Sequence, residues 1–140
     1  MLKFLKKEGA ILEKTTPEKH DQMMSVIQGI THLSAIATGI ALRKLGVTPK
    51  ISLKFSSPIY RLRLEMVGRV LHQSPELYAE IALENPKTIH SLQAYREAIE
   101  MLAEHIEEHN MKGFIQEFRF ASKHLGTFTR MAYDHTNQLL

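Results

Sequence analysis

The chain has 140 residues, 44% of them hydrophobic, and a formal net charge of +3. This length supports one domain with a real core, and a charge so small and scattered argues against nucleic-acid binding. The chain has no cysteine, which excludes a disulfide framework and a thiolate zinc site. No uninterrupted apolar run approaches the ~20 residues of a membrane span, and lysines interrupt the start of the chain, so we expect a soluble, cytoplasmic protein.

Residues 1–15 are predicted to form a unit of their own. Gly9 is placed to end a short helix, and the segment AILEKT (10–15) is the only one typical of a strand. Because one strand cannot form a sheet alone, this segment is interpreted as a remnant of another domain. Residues 16–140 are predicted to form an all-α domain.

Four prolines predict helix starts, because each follows a residue type that caps helices. A capping side chain accepts a hydrogen bond from an unpaired amide, and proline at the first helical position lacks the amide that would go unused. The four pairs are Thr16-Pro17, Ser57-Pro58, Ser74-Pro75 and Asn85-Pro86. The fifth proline, Pro49, is assigned to a loop.

The first of five or so predicted helices runs from residue 17 to about residue 45, with Gly46 placed to end it. Its middle, MMSVIQGITHLSAIATGIAL, is apolar on nearly every side, which predicts a central position. Further helices are predicted over residues 58–72, 75–84 and 86–109, and from residue 111 toward the C-terminus with a bend near Gly126.

Four residues of the first helix recur at a spacing of four: His20, Met24, Gln28 and His32. In an α-helix they form a slanting stripe, since each step of four turns about 40° past a full circle. The stripe could line a polar pocket. Alternatively, His20 is an exposed first-turn residue and His32 a core histidine that bonds a neighbouring helix.

A second constellation combines Arg61, Glu65 and Arg69, also spaced by four. They could be a ladder of exposed ion pairs, each worth about 0.3–0.5 kcal/mol. The apolar residues around Arg69, and Gly68 beside it, equally suit two guanidinium forks that bind a carboxylate or phosphate.

The string HIEEH (105–109) matches the H-x-x-E-H pattern of some zinc peptidases. It is short, lies in a charged helix end and has no third ligand nearby, so we interpret it as chance and expect no metal site. The sequence also has no Gly-rich phosphate loop and no G-x-S-x-G motif.

Two segments, TPEKHDQMMSVIQGITH and SSPIYRLRLEMVGRVLHQSPELYAEI, resemble the helical C-terminal domain of prephenate dehydrogenases. The resemblance covers nearly the whole chain. It implies an intertwined homodimer that supplies part of the substrate pocket, in an enzyme that oxidatively decarboxylates prephenate to 4-hydroxyphenylpyruvate for tyrosine biosynthesis. The leading LKKEGAILEKTTPEKHD resembles the last helix and strand of the NAD-binding Rossmann domain that precedes this domain in the family.

The resemblance also implies substrate-binding residues for prephenate, or for tyrosine as inhibitor. Arg69 matches the arginine of the family's GR motif, which binds a substrate carboxylate, and Arg61 matches a second arginine near that pocket. His20 and His32 match two histidines of the family's H-D-x(10)-H pattern. Gln73 and Tyr78 match positions around the pocket, and the aromatic at the latter can reach in from the partner subunit. Arg63 matches no functional position.

The chain departs from the family in having no G-x-G-x-x-G fingerprint and no match to the catalytic histidine of the Rossmann domain. We therefore expect no catalysis and no cofactor binding by this chain alone, and NAD or NADP in the complete enzyme. The alternatives are a non-catalytic helical dimer that binds tyrosine or prephenate as a sensor or assembly module, and a helical chorismate mutase, whose motif order fits poorly.

Overall fold

A computed structural model describes the backbone of residues 2–139 and the side chains of residues 3–138. This part of the chain is helical and contains no strand, which confirms the all-α class. The α-helices in it are α1 (Leu2–Lys7), α2 (Pro17–Met24), α3 (Thr31–Lys44), α4 (Pro49–Ser52), α5 (Pro58–Leu71), α6 (Pro75–Glu84), α7 (Thr88–Glu107), α8 (Met111–Leu125) and α9 (Phe128–Leu139). Met1 and Leu140, the outer ends of the two predicted units, lie outside the described residues.

Three of the four predicted proline caps are confirmed. The side chains of Thr16, Ser57 and Ser74 each accept a hydrogen bond, at 3.2 Å, from the amide three residues further on. The fourth differs, because Asn85 accepts from the Lys87 amide at 2.9 Å and so caps a turn, after which α7 begins at Thr88. The cap mechanism therefore locates all four starts to within two residues.

The predicted loop at Pro49 is wrong. Pro49 is the first residue of the short helix α4, which continues as a 3₁₀ turn over Leu53–Phe55. The preceding Thr48 is extended (φ −97°, ψ 156°), so the same Thr-Pro arrangement starts a helix here although the Thr48 side chain makes no capping bond.

Glycines end helices where the sequence predicts it. Gly9, Gly46 and Gly126 have φ values of +84°, +66° and +59°, a region that glycine enters without steric cost. At Gly46 the Val47 amide bonds the Leu42 carbonyl at 3.0 Å, which closes the first long helix. The break at Gly126 divides the predicted C-terminal helix into α8 and α9.

Residues 10–16 form no helix, and no other strand lies beside them among the described residues. Ile11 is 97% exposed, so this apolar residue has no packing partner within the described chain. A strand needs a neighbouring strand for its backbone hydrogen bonds, and the strand prediction for 10–15 therefore stays a prediction.

The first long helix is continuous from Pro17 to Lys44 but is not α-helical throughout. A π-turn over Ser25–Ile30 separates α2 from α3. A minimal π-turn adds one residue to the helix, so every side chain after it is rotated by about 100° from its position in an uninterrupted α-helix. The π-turn thereby alters the slanting stripe predicted from His20 to His32.

The π-turn packs against the start of α7 through small side chains. Ser25 is 2% exposed and shares a 2.8 Å hydrogen bond with the hydroxyl of Ser91. Gly29 is also buried, and a Cβ there would lie 3.5 Å from the Cγ2 of Thr88. Small residues at this crossing let the two helices approach closely.

Helices α3 and α5 form the second packed pair. Gly39 of α3 faces α5 so closely that a Cβ there would lie 2.7 Å from the Cδ1 of Leu71. Val67 and Val70 of α5 are the buried apolar side chains of the described residues. Two buried valines are a very small core for a chain of this length.

The continuous helix Pro17–Lys44 has 28 residues and is long and apolar enough, by length and composition alone, to cross a membrane. The prediction from the sequence concerned uninterrupted apolar runs, and this helix is not one, because polar residues such as Gln28, Thr31 and His32 interrupt it. By itself this finding is weak evidence for a membrane span, since core helices of soluble proteins have the same property.

The surface of the chain is much larger than its mass predicts. It exposes 12025 Å², whereas a folded monomer of this size exposes about 7,400 Å². Much of the surplus is apolar, including Val26, Ile27 and Ile40 on the long helix and Ile106, Met111 and Phe118 on α7 and α8. Such a surface is typical of a subunit cut out of a larger assembly.

Candidate functional site

The structure brings together two of the predicted site residues, His32 of α3 and Tyr78 of α6. Their rings meet edge to face, with centroids 4.6 Å apart and planes at 80°. This contact lies within one chain. The Nδ1 atom of His32 is buried and has no hydrogen-bond partner among the described residues, so its hydrogen-bonding capacity is unused within them.

Burial also affects the charge of His32. Removing the ring from water disfavours its protonated form, which lowers the pKa of His32 below its ordinary value of 6.5. The side chain is therefore neutral at pH 7. A negatively charged group placed beside it would favour the protonated form and raise this pKa again.

Arg69 and Gln73 lie at the C-terminal end of α5. The Gln73 Nε2 donates to the Arg69 carbonyl oxygen at 3.5 Å, and no carboxylate of the described residues lies within 4.0 Å of the Arg69 guanidinium. Only the three residues 72–74 separate α5 from α6, whose first turn carries Tyr78. Arg69, Gln73 and Tyr78 are therefore close to one another along the chain, and Tyr78 contacts His32.

A cleft lies between α3 and α5, although neither His32 nor Arg69 lines it. It has a volume of about 410 Å³, and its lining includes Thr31 and Val70, the sequence neighbours of His32 and Arg69. Arg63 also lines this cleft, although the sequence gives it no functional match. The end of α5 and the start of α3 thus belong to one region of the surface.

Arg61 lies in a different cleft on the other side of the α3–α5 pair. This cleft has a volume of about 460 Å³, is almost entirely apolar, and has Arg43 and Gly68 in its wall. A Cβ at Gly68 would meet nothing within 4 Å, so the wall is open there. Sequence reasoning missed Arg43, since a basic residue in the last turn of a helix is ordinarily explained by the helix dipole.

The alternative of an ion-pair ladder on α5 is not realised in the described residues. Neither Arg61 nor Arg69 lies within 4.0 Å of Glu65, and the ion pairs present are His20–Asp21 and Arg96–Glu100. Within the described residues, the α5 arginines consequently have no acidic group within 4.0 Å. Their assignment to a substrate remains a prediction.

His20 is not part of the His32 region. It lies in the first turns of α2, exposed, with its Nδ1 3.2 Å from the carboxylate of Asp21. Twelve residues of helix separate the two histidines, which is about 18 Å along the axis. One small dianion that touches His32 cannot also touch His20 of the same chain.

The two histidines of HIEEH take part in the packing and the termination of helix α7. His105 lies 3.4 Å from the Asn110 amide nitrogen and packs against Gly113, while His109 has a φ of +54° and ends α7. Within residues 2–139, no three histidine, cysteine or acidic side chains are grouped so that they could hold a metal ion.

The family that the sequence resembles uses a nicotinamide cofactor, and the described residues do not form a binding site for such a cofactor. A dinucleotide site needs a strand, a Gly-rich turn and the start of a helix. No strand occurs in residues 2–139, and the glycines with positive φ follow the ends of helices.

Comparison with known proteins identifies the family of this chain. The family described as "Prephenate dehydrogenase, dimerization domain" matches residues 16–120. The "Probable arogenate/prephenate dehydrogenase" of Methanocaldococcus jannaschii is 39% identical over 124 residues, which are 89% of this chain and 28% of that protein.

More distant relatives match as well. The "T-protein" of Haemophilus influenzae is 31% identical over 132 residues, 94% of this chain and 35% of that protein. The "4-amino-4-deoxyprephenate dehydrogenase" of Streptomyces pristinaespiralis is 24% identical over 110 residues, 79% of this chain and 37% of that protein. The chain thus spans about a third of the length of these relatives. It belongs to the prephenate dehydrogenase family, of which it carries the dimerization domain.

Proposed function

We propose that this chain supplies the dimer interface and part of the substrate pocket of an NAD- or NADP-dependent prephenate dehydrogenase in the cytoplasm, and that it does not catalyse alone. The complete enzyme would oxidatively decarboxylate prephenate to 4-hydroxyphenylpyruvate in tyrosine biosynthesis. The observation that carries this proposal is the contact of His32 with Tyr78, in which the buried Nδ1 of His32 has no hydrogen-bond partner among the described residues.

These groups suit a dianion with an unsaturated ring. The Arg69 guanidinium offers two parallel N–H donors to a carboxylate, the strongest kind of neutralising contact available to a side chain. His32 can supply a hydrogen bond to a second polar atom of the ligand, and the Tyr78 ring can cover its apolar face. Gln73, Arg61 and His20 are proposed as further contacts, the last two from another part of the dimer surface.

A second copy of the chain is the proposed partner for the exposed apolar surface. The surplus over a compact monomer is about 4,600 Å², and obligate dimer interfaces bury about 2,000–5,000 Å² in total over both subunits. One symmetric interface of that kind covers about 1,000–2,500 Å² of each subunit and therefore accounts for up to about half of the surplus. The central position predicted for the long helix would then be reached only in the dimer.

Residues 1–15 are proposed to belong to the NAD-binding domain. Ile11 is fully exposed, and the backbone groups of residues 11–15 make no hydrogen bonds among themselves or with other described residues. Such a segment can join the edge of a sheet in another domain. Whether that domain is in the same chain or in a separate one does not alter the geometry required.

The test is calorimetric titration of the purified chain with prephenate and then with tyrosine. We expect saturable prephenate binding, weakened ten- to a hundredfold in Arg69→Ala, because a charge-assisted hydrogen bond is worth about 1.5–3 kcal/mol. Arg96→Ala is the control, since it removes an exposed arginine of α7 that has no proposed role. Equal losses of prephenate affinity in both variants would indicate a general electrostatic effect and would contradict the proposed site.

The second candidate is a sensor or assembly module that binds tyrosine or prephenate without any catalytic partner. Supplying a separately expressed NAD-binding domain from a relative distinguishes the two. NADH formation from prephenate in the mixture supports the enzyme, whereas ligand binding that is unaffected by the added domain supports the module.

A further inference from the structure

Three residues at or just before the start of α7 contact the long helix. The Asn85 Nδ2 donates to the Asp21 carbonyl oxygen at 2.8 Å. The Ser91 and Ser25 hydroxyls are 2.8 Å apart, and since Ser25 already donates to a carbonyl oxygen of its own helix, Ser91 is the donor between them. Thr88, 6% exposed, packs its methyl group against buried Gly29. We call Asn85, Thr88 and Ser91 the clamp.

The clamp holds the segment in which the helix is irregular. Two of its three contacts are to residues within the π-turn, and the third is one turn before it. A π-turn is rare because its hydrogen bonds are less favourable than those of an α-helix. It also has no fixed place, since the extra residue can move along a helix when nothing outside the helix holds it.

The place of the extra residue decides the direction of His32. The π-turn ends at Ile30, two residues before the histidine. If the extra residue moved past position 32, the imidazole would rotate by about 100° relative to the clamped part of the helix. Such a rotation would separate the His32 ring from Tyr78, which it now meets at a centroid distance of 4.6 Å.

We infer that the clamp fixes the π-turn and thereby points His32 at Tyr78, so that Asn85, Thr88 and Ser91 are positioning residues for the candidate anion site. The sequence patterns singled out Asn85 only as a helix cap and did not single out Thr88 or Ser91, and none of the three belongs to the group of proposed substrate contacts. The inference rests on the proposed function only in that it calls this region a substrate site.

The first test measures the geometry without a ligand. In Ser91→Ala, whose Ser25 keeps its bond to its own helix, we expect a weaker nuclear Overhauser effect between the His32 and Tyr78 rings. We also expect the pKa of His32 to rise toward 6.5. Ser91→Thr retains the hydroxyl and should restore both signals. Thr38→Ala, which removes a helix-bonded hydroxyl outside the clamp, is the control.

The second test measures prephenate binding by calorimetry on the same variants. Loss of one positioning hydrogen bond should raise the Kd about fivefold in Ser91→Ala and leave it unchanged in Thr38→Ala. Should Ser91→Ala fail to fold, Thr88→Ser provides the same readouts, because it deletes only the methyl group that touches Gly29.

The outcomes distinguish the inference about the clamp from the proposed function. A folded Ser91→Ala protein with the wild-type ring contact and His32 pKa would overturn the inference, even if its stability were lower. A wild-type protein that shows the ring contact and its loss in Ser91→Ala, but binds no prephenate, would support the inference and contradict the proposed function.

Discussion

Replacing Phe118 by alanine should weaken the proposed dimer through its interface rather than through the packing within one subunit. Phe118 lies on the apolar face of α8 and is 69% exposed within one chain, so its ring contributes little to the fold of the isolated subunit. Met111, Ile115 and Leu125 continue the same face at helical spacing.

The size of the effect follows from the exposed area. Covering the exposed part of a phenylalanine ring removes roughly 120 Å² from water, which stabilises by about 3 kcal/mol at 25 cal/mol per Å². A symmetric dimer contains the contact twice. The substitution should therefore raise the dimer dissociation constant by about four powers of ten.

Sedimentation velocity over a wide range of protein concentrations measures this constant. Gln116→Ala changes the polar face of the same helix and should sediment as the wild type does. A Phe118→Ala protein whose dissociation constant stays within threefold of the wild-type value would refute the assignment of this face to the dimer interface.

Three further predictions concern single residues. His109→Gly should stabilise by about 1 kcal/mol in urea denaturation, because a side chain at φ +54° is strained where glycine is not. Gly113→Ala should destabilise by about 2 kcal/mol in the same assay, since its Cβ would lie 2.6 Å from His105 Cε1 and 2.7 Å from Asn110 Nδ2; wild-type stability would show that both side chains move away freely. His32 binds a proton more readily in the unfolded state than in the folded state, because its pKa is lowered in the folded state. Its contribution to the free energy of unfolding should therefore decrease as the pH falls from 6.5 through the lower folded-state pKa. Urea denaturation between pH 7.5 and 5 should show this loss in the wild type and a smaller one in His32→Gln.

Local chemistry made much of the fold predictable. A capping hydroxyl followed by proline acts within one helical turn, so Thr16, Ser57 and Ser74 could be read directly from the sequence. Gly46 and Gly126 end helices for an equally local reason. The number of helices was less predictable, because α4 is a single turn with no apolar period of its own.

The candidate site was only partly predictable. The contact between His32 and Tyr78 joins residues 46 positions apart, and no spacing rule relates them; it was the family pattern that singled out both. The π-turn had no sequence signal, and the residues that contact it, Ser91 and Thr88, lie more than 50 residues away. For the same reason the helical stripe from His20 to His32 was drawn with the wrong rotation.

The small core has a consequence for how the protein is made. With Val67 and Val70 as the buried apolar side chains of the described residues, an isolated subunit has little to hold it folded, and its stability depends on its concentration. Each tenfold dilution removes about 1.4 kcal/mol from the assembled state. Newly synthesised chains should therefore be open to proteases until they meet a partner, and their cellular lifetime should lengthen as expression rises.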